Sequence, residues 1–232
     1  MCFYNSMSKK AKQLAARYGR KSDIVEIYKD ILEEKYRVSA FTYPEYPIIT
    51  KLEEIQVYQW GLIPFWTKDE QDAEKVRKMT FNARSESLFD KPSFREPIKR
   101  RRCIVPSTGF FDWRHEGKKK IPFFISVKNE DIFSMAGIYD VWNDKETGEL
   151  LHTFSIITTQ ANPLMSYIHN TNMRMPAILS KENEEKWLNP NLSETEIKSL
   201  LMPFDENKMF AYQIEKDFLK KDPEDETILQ KT

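Results

Sequence analysis

The stretch IPFFISVKNEDIFSMAGIYDVWNDKETGELLHTFSIITTQ, residues 121–160, holds three apolar runs separated by two short polar turns. Each run is rich in Ile, Val, Phe and Tyr, the β-branched and aromatic types that fit a pleated, half-buried surface. The turn signals at Asn129 and at NDKETG (143–148) leave too little chain for a crossover helix, so the three runs read as antiparallel, hairpin-connected strands. EIQVYQW (54–60) upstream and MFAYQIEK (209–216) downstream have the same character.

Around this β-rich centre the period changes. SMSKKAKQLAARYG (6–19) reads as a helix with serines available as caps and Gly19 as its stop, and SDIVEIYKDILEEKY (22–36) repeats apolar residues at helical spacing behind Ser22. SKENEEKWL (180–188) and LSETEIKSLL (192–201) each begin with a serine cap and an acidic first turn. The predicted class is α+β in one domain over residues 1–220, followed by a loose polar tail at 221–232.

Composition narrows the function. In 232 residues, 40% of them hydrophobic, 36 basic side chains balance 36 acidic ones, so no global field draws the chain to polyanions and nucleic-acid contact must come from a local patch. The only dense charge run is KRRR (99–102), which reads as a solvated turn or as the edge of a groove. Neither an export signal nor an apolar run of about 18 residues is present, so a cytoplasmic protein without membrane insertion is expected. His115, His152, His169, Cys2 and Cys103 lack metal-ligand spacing, so no metal and no cofactor are expected; a disulfide is a poor fit to a reducing compartment.

Three stretches carry polar residues where a core asks for none. In FNARSES (81–87), Asn82, Arg84 and Glu86 alternate, so a strand would turn all three to one face, and an ordinary solvated face fits equally. RRCIVPSTGFFDW (101–113) sets Asp112 between Phe111 and Trp113, where a desolvated carboxylate needs a partner, or else it is a surface loop acid; Cys103 reads as a small buried apolar residue. SYIHNTNMRMPAIL (166–179) offers His169, which is either a satisfied core or surface histidine or an acid–base group, ahead of Arg174.

Cys2 at the head of the chain, WGLIPFW (60–66), FNARSES, RRCIVPSTGFFDW, PFFI (122–125), AGIYDVW (136–142), FSIITTQAN (154–162) and IHNTNMRMPAIL (168–179), in this order, resemble the SRAP family of SOS-response-associated, abasic-site-processing proteins. The resemblance implies a compact α+β fold with a bifurcated, barrel-like antiparallel sheet, acting as a monomer. It implies loss of Met1, by self-cleavage, and covalent capture of abasic sites in single-stranded DNA by Cys2, with lyase activity as a further possibility. Carried over by position, Cys2, Asn82, Asp112 and His169 are the catalytic set, while Arg84, Glu86, Arg174 and Trp66 fall at the DNA. This chain departs from the family pattern in having Phe3 and Tyr4 where glycine and arginine are usual, Asp112 where glutamate is usual, and three added residues between His169 and Arg174. Two other functions fit the same residues: a cysteine peptidase using Cys2 as an N-terminal nucleophile, and a non-covalent single-strand-binding module.

Overall fold

The computed structural model describes residues 2–21 and 33–232. Most of the helix expected over 22–36 lies outside them. The chain opens with strand β1 (Tyr4–Met7), then helix α1 (Ala11–Tyr18), β2 (Lys35–Ser39), β3 (Glu45–Ile48), β4 (Gln56–Trp60), α2 (Glu70–Arg77) and β5 (Asn82–Arg84). Next come α3 (Pro97–Arg100), β6 (Arg102–Ser107), β7 (Gly109–Glu116), β8 (Lys119–Val127), β9 (Phe133–Asn143) and β10 (Leu150–Gln160). It closes with α4 (Pro163–Ile168), β11 (Arg174–Pro176), β12 (Ile178–Leu179), α5 (Lys181–Leu188), α6 (Glu194–Leu200) and β13 (Met209–Gln213).

Helix α1 starts later than its serines suggest, because residues 4–7 are already committed to a strand; Lys10 is the cap, its N–H donating to Gln13 Oε1 at 2.9 Å. It ends at Gly19, whose left-handed φ of 59° suits a residue without a Cβ. Its buried side, with Leu14, Ala15 and Tyr18, packs into the main core.

The strands form a mixed α+β domain with two open sheets, one in the order β13-β8-β7-β1-β2 and the other built on β12-β9-β10-β4-β3 with β5, β6 and β11 attached. The three runs of residues 121–160 become β8, β9 and β10. β9 and β10 form the expected hairpin, whereas β8 and β9 part at their turn into different sheets. β10 pairs in parallel with both β4 and β5, which brings Asn82 beside Ile156 and Arg84 beside Thr158. The main core lies between the sheets, taking Phe110 and Ile125 from one and Ile104, Met135 and Ile156 from the other.

Period-2 alternation sends Phe111, the neighbour of Phe110, to the opposite face of β7, and the C-terminal segment covers it. Phe218 stacks on Phe111 with ring centroids 5.0 Å apart, and Ile228 is wholly buried beside them. The Pro223 carbonyl accepts hydrogen bonds from the N–H groups of Tyr36 and Arg37 at 2.9 and 3.2 Å. The tail expected to be loose is therefore docked, because an outward-facing aromatic strand needs a cover. Gly109 permits that face to close: a Cβ there would lie 2.0 Å from the Phe124 ring.

Candidate active site

Cys2 sits just ahead of β1, the strand gripped between β2 and β7. A buried polar network fixes that strand. Ser107 Oγ donates to Asn5 Oδ1 at 2.6 Å, Asn5 Nδ2 to the Tyr46 hydroxyl at 2.7 Å, and that hydroxyl to the Pro106 carbonyl at 2.7 Å. Such a network, fully satisfied, specifies one register and so one position for the residue at the strand head. Sequence reading missed it; the signal was Asn5, a polar residue inside a buried strand.

Cys2 itself is 1% exposed. Its carbonyl accepts a hydrogen bond from Asn82 Nδ2 at 3.0 Å, and the thiol faces the Tyr4 carbonyl at 3.8 Å. Burial, reinforced by the nearby Asp112 carboxylate, pushes the Cys2 thiol up to about 12, so in this environment it is protonated. Asn82 reaches Cys2 because β5 runs parallel to β10 at the edge of the second sheet; its Oδ1 is buried with no hydrogen-bond partner among the described residues.

Asp112 comes from β7. The register Tyr4 to Phe111 and Asn5 to Phe110, continued one step, sets Phe3 opposite Asp112. The carboxylate is 5% exposed; Oδ1 accepts the Trp113 N–H at 2.9 Å and Oδ2 lies 3.5 Å from His169 Nδ1. Burial raises this carboxyl above the usual aspartate range, opposed in part by neighbouring positive charge including His169. His169 ends α4, and its Nδ1 also lies 3.1 Å from the Arg174 carbonyl oxygen, which can only accept. The Arg174 N–H also points at Nδ1, at 3.4 Å, so the tautomer decides whether this nitrogen donates to the carbonyl or accepts from the amide, and the same nitrogen faces the Asp112 carboxylate.

Asn82, Asp112 and His169, from three distant segments, thus converge on the strand head that carries Cys2. The other predicted residues are placed differently. FNARSES leaves the strand at Arg84: Ser85–Ser87 is a 3₁₀ turn, so Glu86 does not share a strand face with Asn82 and Arg84. The turn brings Glu86 over the buried Arg174 guanidinium in a two-pronged ion pair, Nη1–Oε1 2.5 Å and Nη2–Oε2 2.9 Å, with a further bond from Nη2 to the Thr158 carbonyl at 2.7 Å. Although burial pushes the Glu86 carboxyl up, the Arg174 fork prevails and holds it below the usual glutamate range. Arg174, at the position the resemblance gives to phosphate contact, is already engaged. Arg84 is exposed at the end of β5. Trp66 is 46% exposed on the loop after β4, its indole N–H donating to the Pro92 carbonyl at 3.4 Å.

The KRRR run is not a solvated turn throughout. Arg102 is buried and clamps two helix ends, donating to the carbonyls of Ile98, Lys99, Trp187 and Asn189. Arg101 lies 3.2 Å from the buried Asp140. Cys103 is wholly buried, and its burial pushes the thiol well up, as suits an inert core residue. Among the described residues no group of three or more His, Cys, Asp or Glu side chains is placed to hold a metal.

Asp112 and His169 open onto a cleft of about 470 Å³ walled by Phe3, Tyr4, Phe41 and Trp113. Phe41 is 54% exposed and meets Phe3 at a ring distance of 5.1 Å. Sequence reading missed Phe41, which lies in the short 3₁₀ segment after β2 and belongs to no recognisable pattern.

Residues 1–220 match the family SOS response associated peptidase (SRAP). The Bacillus subtilis abasic site processing protein YoqW is 41% identical over 202 residues, spanning 83% of this chain and 87% of that protein. A second Bacillus subtilis abasic site processing protein, YobE, is 40% identical over 202 residues, 83% of this chain and 89% of that one. A crystal structure of a Bacteroides thetaiotaomicron protein is 65% identical with a TM-score of 0.98, each chain covered completely. With the match running through the strand that carries Cys2, the segment that carries His169 and the sheets between them, this chain belongs to the SRAP family, among relatives that bear the name abasic site processing protein.

Proposed function

We propose that this protein, once Met1 is removed, captures abasic sites in single-stranded DNA as a thiazolidine on Cys2 and so shields the lesion, acting as a monomer in the cytoplasm and on the nucleoid. The observation that carries the reading is the convergence of Asn82, Asp112 and His169 on Cys2, beside an open cleft.

An abasic site equilibrates with a ring-opened aldehyde, and an amine captures an aldehyde only when neutral. An α-amine with a pKa of ~7.8 is roughly a quarter neutral near physiological pH, against about 0.1% for a lysine. The Cys2 amine adds to the aldehyde carbon and the carbinolamine loses water to give an imine. The thiol of the same residue then adds to the imine carbon, closing a five-membered ring as its proton passes to nitrogen, an intramolecular step of high effective molarity. While Met1 is in place, burial keeps the thiol protonated, which makes it a poor nucleophile toward peptides in trans.

Asn82 fixes the Cys2 carbonyl and thereby the direction of the amine. His169 gives a proton to the sugar oxygen on ring opening, and Asp112 relays protons at the amine. Arg174 acts through its backbone: the Glu86 pair holds β11 so that the Arg174 carbonyl orients the His169 ring. Arg84 and Trp66, both exposed, meet the phosphates and a base of the strand. Self-removal of Met1 belongs to the same proposal, the Cys2 thiol being attached to the residue whose peptide bond must break.

The test is a heated denaturing gel of the chain lacking Met1 with an oligonucleotide carrying one abasic site. Parent protein gives a retarded band. Cys2→Ala and Cys2→Ser, which keep the α-amine and lose the thiol, give no heat-stable band and at most an imine that hydrolyses unless reduced by borohydride. A band of equal yield and stability from Cys2→Ala contradicts the proposal.

A further inference from the structure

The loop between β4 and α2 presents two large exposed aromatic rings side by side, Phe65 at 54% and Trp66 at 46% exposure. Exposed aromatics on a loop are costly to hold still, because each backbone residue fixed gives up conformational freedom. Here the loop is held from beneath at alternate residues by three side chains of β9 and β10. The Ile63 N–H donates to Thr153 Oγ1 at 2.8 Å, the Phe65 N–H to Asp140 Oδ2 at 3.1 Å, and the Thr67 carbonyl accepts the Trp142 indole N–H at 2.9 Å. Asp140 and Thr153 are direct cross-strand partners in the antiparallel pair β9–β10, so they act as one ledge under the loop.

Asp140 is committed to this task. Its side chain is 2% exposed, its Oδ1 accepts the Val141 N–H at 2.8 Å, and Arg101 Nε lies 3.2 Å from Oδ1. The Arg101 guanidinium also stands over the Phe65 ring at 5.8 Å. Burial raises the Asp140 carboxyl above its usual range, while the Phe65 N–H and Arg101 favour the charged form. A carboxylate kept in so buried a place, with one oxygen spent on a loop N–H, is a device for fixing that loop.

We infer that Asp140 and its cross-strand partner Thr153 are positioning residues for DNA binding, acting through Trp66 by pinning the loop at Phe65 and Ile63 just ahead of it, while Trp142 holds Thr67 just behind, so that the indole is already ordered when it meets a base. The inference rests on the reading of Trp66 as a DNA contact. Pre-ordering of this kind strengthens binding without touching the reacting atoms, so its loss shows in affinity and not in the rate of the bound complex.

The experiment is a double-mutant cycle on the chain lacking Met1, with Trp66→Ala, Asp140→Asn and the double variant. Affinity is read by anisotropy on a single-stranded oligonucleotide carrying a tetrahydrofuran abasic analogue, which cannot crosslink, and the crosslinking rate is read at saturating true abasic DNA. Trp66→Ala weakens binding about tenfold. Asp140→Asn, which sets an NH₂ where a second acceptor is needed, weakens it about fivefold, with the saturated rate within about twofold of the parent. The double variant binds no more weakly than Trp66→Ala alone. Should Asp140→Asn not fold, Thr153→Val, nearly isosteric and uncharged, takes its place with the same expected pattern. Additive losses, an Asp140→Asn affinity equal to the parent's, or a Trp66→Ala affinity equal to the parent's each overturn the inference. A parent chain that binds and shows the non-additive cycle but forms no adduct contradicts the capture reading alone; an adduct together with an additive cycle contradicts this inference alone.

Discussion

Asp112→Asn separates chemistry from stability. The substitution keeps the shape: an Asn Oδ1 still accepts the Trp113 N–H, now made at 2.9 Å, so the β7 backbone has no reason to move. What changes is the second oxygen, 3.5 Å from His169 Nδ1, which becomes an NH₂ unable to take a proton. Loss of an acid–base partner slows a step by ~100-fold, about 2.7 kcal/mol of barrier. The folded state should respond in the opposite sense. Burial raises the Asp112 carboxyl, so the folded protein favours the neutral form, and the stability tied to its proton is complete below the unfolded aspartate pKa of ~3.9 and lost as pH rises through the folded value. At pH 7 the wild-type chain carries that penalty and the asparagine does not. The variant's Tm should rise, by about 2–4 °C for each kcal/mol recovered in a chain of this length, with the advantage closing as pH falls toward 4. Single-turnover crosslinking and thermal melts across pH measure both. An Asp112→Asn rate equal to wild type, or a lower Tm at pH 7, refutes the reasoning and leaves Asp112 a structural acid.

Glu86→Gln removes the carboxylate from the Arg174 fork and should cost about 1 kcal/mol at neutral pH, since the Glu86 side chain is 47% exposed and screened. Because the fork lowers the Glu86 carboxyl, its stabilisation is present above the unfolded glutamate pKa of ~4.3 and disappears as pH falls through the lower folded value, so the difference in denaturant midpoint should vanish in acid. Ile228→Ala, at a wholly buried position in the docked tail, should lower stability by about 2–4 kcal/mol in chemical denaturation, whereas a loose tail predicts no change. Arg84→Glu should weaken single-stranded DNA binding roughly tenfold and flatten the log–log salt slope by about 0.7 for each phosphate it no longer neutralises; an unchanged slope removes Arg84 from the interface.

The runs at 121–160 were legible as strands because alternation and turn chemistry are local properties, and β8, β9 and β10 appear where they were expected. The parallel placement of β4 and β5 on β10 was not, since it depends on which distant edge each strand finds. The docking of Ile228 was hidden for a like reason: KDPEDETILQKT is polar by composition, and only the outward turn of Phe111 creates a face for its one buried isoleucine. In KRRR, sequence shows charge but not that Arg102 meets four carbonyls of helix ends and the residues beside them. Cys2, Asn82, Asp112 and His169 were named together through a resemblance in motif order, which no single stretch carries alone, and their proximity in space depends on strands far apart in the chain. The Glu86–Arg174 pair joins residues 88 apart and the Phe65–Asp140 bond residues 75 apart, so neither leaves a local trace.

The central claim is that amine and thiol of Cys2 together become the bond to DNA, and the mass of the isolated adduct tests it most directly. For the chain lacking Met1 and an oligonucleotide with one abasic site, thiazolidine formation predicts the sum of the two masses less one water, unchanged by borohydride, with tandem spectra placing the modification on Cys2. A mass that gains two hydrogens under borohydride, a modification mapped to a lysine, or an equally heat-stable adduct from Cys2→Ala contradicts the account.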